Sequence, residues 1–416
     1  MELVQDVDKG FFPLDEELKL LPGELTPHGH ENLVRLCGWM PFEKAAEMFA
    51  ALQEIEVSPA LSQRSSERAG AAYVDLQTKE VEYLECEMPD APKGGDKLQM
   101  SADGAMVPLL HGQWGEVRTL VIGEVQPAVQ EQGEWVVHTR NLSYFSRKMS
   151  AEEFTRLALV ETQRRGIETA DQVGALMDGS DWLQGLTDHH RPDAVRILDF
   201  PHAGDHISLI GEFLHGEGTP QTQEWINQRL HQLKHEGPTE LLSEFHQLQE
   251  QYSQEKAVTG NLAYLEKRQA QMQYPIFQNQ GWPIGSGIVE SGNKLVVEVR
   301  LKGSGMHWAD EHVNSMLAIR NILCSDRWKQ EWPRIETQLR QQASQRRREL
   351  HQSRRDQREL TAQQMLPLIS PGTIETLNSA PPELIQPDFP KQSKENPWRK
   401  FKYGRSLFQR TDLPKN

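Results

Sequence analysis

Leu98–Leu109 (LQMSADGAMVPL), Val117–Val125 (VRTLVIGEV) and Trp135–Tyr144 (WVVHTRNLSY) decide the fold class. All three are apolar, β-rich runs, and Gly112, Gly115 and Gly133 lie between them. Such short spacing predicts an antiparallel meander. Outward from it, Ala151–Arg165 (AEEFTRLALVETQRR) has helical spacing behind a capping Ser150. A short strand at Gln172–Met177, a short helix near Trp182 and a strand at Ala194–Phe200 follow. A meander followed by βα units predicts a mixed α/β fold, a five-stranded sheet with helices on its faces. Its expected strand order is 3-2-1-4-5, with the first and fourth strands adjacent.

The flanks read as helix. Residues 1–95 form an expected helical N-terminal domain, bounded by Lys93-Gly94-Gly95. In it, Pro41–Glu54 carries one apolar face, and Ser58 and Pro59 start a second helix. The pair suits a helix-turn-helix or, more plainly, an ordinary helical hairpin. Residues 96–202 and 285–325 are the expected halves of the sheet domain. Between them, 203–284 is a helical insertion rich in Gln, Glu, His and Leu. Residues 326–416 combine an Arg-rich helix with a Pro-marked basic tail.

Charge is uneven. The net formal charge of the 416 residues is −15, which argues against a general nucleic-acid binder. Residues 1–100 hold 20 acidic against 9 basic residues, whereas 391–416 hold 8 basic against 2 acidic. An acidic front and a basic tail point to different partners. No apolar run is long enough to span a membrane, and no signal-peptide pattern opens the chain. The three cysteines, Cys37, Cys86 and Cys324, are too dispersed for a disulfide framework. A reducing cytoplasm is the expected compartment, with nucleoid association if DNA is the partner.

The chemistry-bearing residues are acids at strand ends. Asp103 lies in the first strand, in SADGAM, and Asp178 ends the fourth, in MDGSDW. The expected strand order sets them side by side. Glu290 follows at the start of a helix, in GSGIVES. Converging carboxylates can hold two Mg²⁺ ions, which prefer hard oxygen ligands, and such pairs serve phosphodiester chemistry. Asp-Gly is also an ordinary turn dipeptide. On a regular helix Asn293, Lys294 and Val297 share the face of Glu290, although a Glu–Lys pair is equally a common surface feature. ILDFPHAGDH offers Asp199 and His202, either a rival second acid with its partner or a structural pair. Lys294, Arg300, Lys302 and Trp308 suit DNA contact, while Trp308 equally suits a core anchor.

With these residues in view, the chain resembles the ISKra-type transposases of bacterial insertion sequences, part of the DDE superfamily. The resemblance rests on GFFPLDEELKLLPGELTPHGHENLVRLCGWMPFEKAAEMFAAL, SADGAMVPL, ILDFPHAGDH and GSGIVESGNKLVVEVRLKGSGMHW, from about Gly10 to Asn321. It implies an RNase H-like core and two Mg²⁺ ions, replaceable by Mn²⁺, held by Asp103, Asp178 and Glu290. It further implies cleavage and strand transfer at element ends, with double-stranded DNA as partner and a homo-oligomer formed on it. Mutator-like relatives place the second acid after the fourth strand, which selects Asp178, with Asp199 and His202 as an accessory motif. The cysteine pair usual ahead of GFFPLDEEL is missing, so a shortened, inactive DNA-binding remnant is the alternative.

Overall fold

The computed structural model describes residues 25–131 and 133–365, so the amino-terminal part of the GFFPLDEEL stretch and the basic tail lie outside it. Three helices open the described chain. The first, α1 (Pro27–Trp39), is capped by Thr26, whose hydroxyl accepts from Gly29 N at 3.1 Å. Then come α2 (Phe42–Gln53) and the 29-residue α3 (Pro59–Glu87), which Ser58 caps through Leu61 N. The expected boundary at Lys93-Gly94-Gly95 separates α3 from the sheet.

The sheet strands are β1 (Lys97–Pro108), β2 (Trp114–Val125), β5 (Thr139–Arg147), β6 (Gln172–Met177) and β7 (Val195–Leu198). Their order is β5-β2-β1-β6-β7. β1 runs antiparallel to β2 and parallel to β6, and β6 runs parallel to β7. The mixed five-stranded sheet is therefore the expected one. Its third strand differs in position. Trp135 belongs to a separate hairpin of β3 (Val129–Glu131) and β4 (Glu134–Val136), and the third sheet strand starts only at Thr139. The hairpin pairs with itself across Gly133, whose φ of +91° suits a residue without a Cβ, and leaves Trp135 69% exposed.

Helices cover both faces. The expected helix at 151–165 is broken at Ala158 into α4 (Ala151–Leu157) and α5 (Leu159–Arg164). With α6 (Asp181–His190) they bury one face of the sheet, through Leu98, Met100 and Ala102 of β1. Side chains alternate along a strand, so Gln99, Ser101 and Asp103 point to the other face.

The insertion comprises α7 (Phe200–His215), α8 (Pro220–Glu236), α9 (Pro238–Gln251), α10 (Lys256–Lys267), a short 3₁₀ turn and α11 (Tyr274–Asn279). It shares a core with β6 and β7 through Leu176, Ile197, Ile207 and Leu265. The chain then returns to the second face as α12 (Gly287–Gly292), a π-helical segment (Asn293–Glu298) and α13 (Val299–Leu301). Val289, Val296 and Val297 pack there with Val121 and Tyr144. Each fully buried Val contributes about 1.5–3 kcal/mol.

Next is α14 (Asp310–Cys324), and α15 (Trp328–Met365) is the expected Arg-rich helix. Two buried arginines tie this part to α1. Arg300 Nε donates to Cys37 O at 2.8 Å, and Arg320 donates to Gly38 O at 2.9 Å. Arg320 also donates to the carbonyls of Val296 and Leu295 in the π segment. Helix ends and π turns leave such carbonyls without helical partners, and a guanidinium has donors enough for several. The residues through Gln352 form one compact unit and those from Ser353 a second. Among the described residues no helix is long and apolar enough to cross a membrane.

Candidate active site

Asp103 stands on the β1 face that α12 covers. Its Oδ1 accepts from Gly104 N at 2.7 Å and its Oδ2 from Asn293 Nδ2 at 3.0 Å. The β1–β6 ladder pairs Met100 with Ala175, an offset of 75 residues, and the same offset separates Asp103 from Asp178. The register thus carries the two aspartates towards one another just beyond the last paired residues of β1 and β6. Burial raises the pKa of Asp103, opposed by the Gly104 amide. The charge of Asp178 raises it further, Asn293 opposes, and Glu290 adds a smaller upward push. The two other expected acids therefore both act on the Asp103 carboxyl.

Glu290 arrives by a close helix–sheet approach. A Cβ at Gly292 would lie 2.8 Å from Val121 Cγ2 and 3.1 Å from Tyr144 Cε1, so only glycine lets α12 lie this low. The segment that follows departs from the expected regular helix. Its π turn holds more residues than an α turn and rotates what comes after. Asn293 and Val297 are buried, so they do not share the exposed face of Glu290, whereas Lys294 is exposed as Glu290 is. Asn293 becomes the one that meets Asp103. π turns recur at functional sites.

Asp178 is held by its own turn and by the insertion. Its Oδ1 accepts from Ser180 N at 2.6 Å, ahead of α6. The next residue, Gly179, is gripped from both sides. Its N–H donates to Tyr264 Oη at 3.1 Å, and its carbonyl accepts from Arg268 Nε at 2.8 Å. A Cβ on Gly179 would fall 1.7 Å from Arg268 Nε. His206 stacks on Tyr264 with ring centroids 3.8 Å apart, and His202 meets the same ring edge-on at 5.8 Å. Sequence reasoning missed this clamp. Tyr264 and Arg268 do share the i, i+4 spacing of one helical face, but nothing in the sequence names the peptide they hold.

Asp199 is a different kind of acid. It is 5% exposed and caps α7, with Oδ2 accepting from His202 N at 3.3 Å. Oδ1 accepts from Ser286 N at 2.6 Å, which fastens the end of β7 to the turn before α12. Both oxygens serve backbone amides. Tyr274 lies close by, donating to Leu198 O at 2.9 Å, and burial and the Asp199 charge push its pKa well up.

Two residues expected to contact DNA are interior. Arg300 is 2% exposed, between the rings of Phe42 and Trp308 at 4.8 and 5.1 Å. Trp308 is 6% exposed, and its Nε1 donates to Leu301 O at 3.1 Å, so it is a core anchor. Neither can reach a phosphate without unpacking that core. Lys294 and Lys302 are exposed, the latter paired with Glu298 at 2.7 Å.

As the side chains stand, no group of three His, Cys, Asp or Glu among the described residues is tight enough to hold a metal ion. The donors nevertheless suit a hard divalent cation. They are all oxygens, and Asp103 carries the repulsion of two further carboxylates. Beside it, Asn293 Oδ1 is buried without a hydrogen-bond partner. The chain matches no family model and no curated protein.

Proposed function

We propose that the chain is a DDE transposase with an RNase H-like core, cutting and joining DNA at the ends of an insertion sequence. The observation that supports this reading is the convergence of Asp103, Asp178 and Glu290 from two parallel neighbour strands and the helix laid over them. Fold analogy by itself would leave the chemistry open, because one scaffold hosts many activities. In this reading the acids, rather than the scaffold, are what support phosphodiester chemistry.

In this reading Asp103, Asp178 and Glu290 would hold two Mg²⁺ ions, with Mn²⁺ as a substitute. Such ions activate the attacking oxygen and offset charge on the leaving one. The chain's own work is to aim the carboxylates. Gly104 N and Asn293 Nδ2 fix both oxygens of Asp103. The Ser180 amide and the Tyr264–Arg268 clamp fix the Asp178 turn. Glu290 stays exposed, placed to complete the set when substrate arrives. The partner in this reading is double-stranded DNA, both element end and target, with the protein assembled as a homo-oligomer on it.

The test is strand cleavage and transfer by purified protein on DNA carrying the repeats that flank its gene, with Mg²⁺ or Mn²⁺. Metal-dependent joined products that vanish with Asp103→Asn are expected. Products that persist in that variant would refute the assignment.

A further inference from the structure

None of the three acids lines the pocket of about 690 Å³ enclosed by α1, the start of α3 and α15. Its volume is that of a small-molecule site. Leu25, Val57, Leu61 and Leu339 supply an apolar wall. Arg64 and Arg68 from α3 and Arg346 and Arg347 from α15 line it as well, against one carboxylate, Glu56. Counting only Arg64, Arg346 and Arg347 against Glu56 leaves a local surplus of two positive charges, in a chain whose overall charge is −15. Concentrated against that background, the surplus marks an anion site.

Two more features agree. Ser58 and Leu61, from the cap and first turn of α3, also line the pocket. The amino end of this 29-residue helix adds positive potential there, although Pro59 has no N–H and Ser58 takes the Leu61 amide. Independently, His30 lines the pocket, is only 8% exposed, and keeps a buried Nδ1 without a hydrogen-bond partner. Burial and the Arg68 charge hold its pKa down to about 4, so the ring is neutral at neutral pH. Buried polar atoms are rarely left unpaired, so an unpaired one on a pocket-lining residue points to a water or ligand partner.

We propose that this pocket binds an organic phosphate of the nucleotide class. The phosphate meets the guanidinium groups within the positive potential of the α3 terminus, and the base lies on the apolar wall beside His30. Inorganic phosphate would leave the wall unused, and an apolar acid with one carboxylate would answer only part of the positive surplus. The same chemistry is offered by a free nucleotide and by the phosphorylated terminal nucleotide of a DNA strand. This site is independent of the proposed strand-transfer chemistry.

Calorimetric titration of the full chain with adenosine monophosphate, inorganic phosphate and a 5′-phosphorylated single-stranded dodecamer tests it. Saturable binding of the monophosphate is expected, at least about tenfold tighter than inorganic phosphate. Arg64→Gln combined with Arg347→Gln, both exposed side chains, should weaken it by at least about tenfold with an unchanged melting temperature. Dodecamer binding that the monophosphate displaces identifies the strand end as the source. Monophosphate binding without dodecamer binding identifies the free nucleotide. Equal affinity for inorganic phosphate, an unaffected double variant, or no saturation with any probe would overturn the proposal.

Discussion

Asp178 and Asp199 occupy equivalent places, each just past the end of a parallel strand and each at the start of a helix. Their oxygens have opposite fates. Asp178 gives one oxygen to its own turn and keeps its charge within reach of Asp103. Asp199 gives both oxygens to backbone amides and lies buried. A strand-end carboxylate is thus a candidate for chemistry only if something other than the backbone is left to claim it. In Asp199 the fold has spent the acid on joining β7 to the turn that launches α12.

The largest effect that could break this contrast is on catalysis. Asp178→Asn should lower strand transfer by at least about 10³-fold with the thermal transition intact. Asp199→Asn keeps an oxygen acceptor and should retain most of the activity. The reverse ranking in a cleavage assay would exchange the two roles. Stability should rank the other way. Asp199→Ala strands a helix cap and the Ser286 amide, and should cost about 2–4 kcal/mol in urea unfolding. Asp178→Ala should cost clearly less.

A smaller effect sharpens the role of the clamp. Gly179→Ala places a methyl where Arg268 lies and should cost about 1–3 kcal/mol. Activity should fall further than that stability loss explains, because the Asp178 turn is displaced. If pairing Gly179→Ala with Arg268→Ala restores stability but not activity, the clamp positions the acid. Full recovery of activity would make it a packing contact only.

The smallest effect concerns charge. The fold raises the Asp103 pKa, so the native state holds that proton more tightly than the unfolded chain. Its contribution to stability is full below the ordinary carboxylate pKa and is lost as pH rises through the folded value. In EDTA at pH 7, Asp103→Asn should therefore melt higher by roughly 1–2 °C, a gain that disappears near pH 3. Asn293 has an unpartnered Oδ1 with which to accept from the new amide. Adding Mg²⁺ should stabilise the wild type and not the variant.

Much of this was legible in the sequence. Alternating apolar runs with short turns determine β1, β2 and β6, and strand order then aligns Asp103 with Asp178. The misplaced third strand shows the limit of such patterns. Trp135 and Val136 are as β-prone as sheet residues, but they pair with Gln130 and Val129 in a separate hairpin that leaves Trp135 in solvent. The π turn was equally hidden, because i+3 and i+4 spacings are read on the assumption of a regular helix. Arg300 and Trp308 show a third limit. Residue type says that a cation and an indole suit DNA, and only packing reveals that they had already chosen each other.

The arginine ties to α1 bear on inheritance. A swap of the first ninety or so codons would seem a simple way to exchange the front helices. Here the incoming segment would have to present carbonyls where Cys37 and Gly38 now offer theirs, or leave two guanidinium groups buried and unanswered. Only closely matched segments would survive such an exchange, so the front helices and the Glu290 segment should descend together.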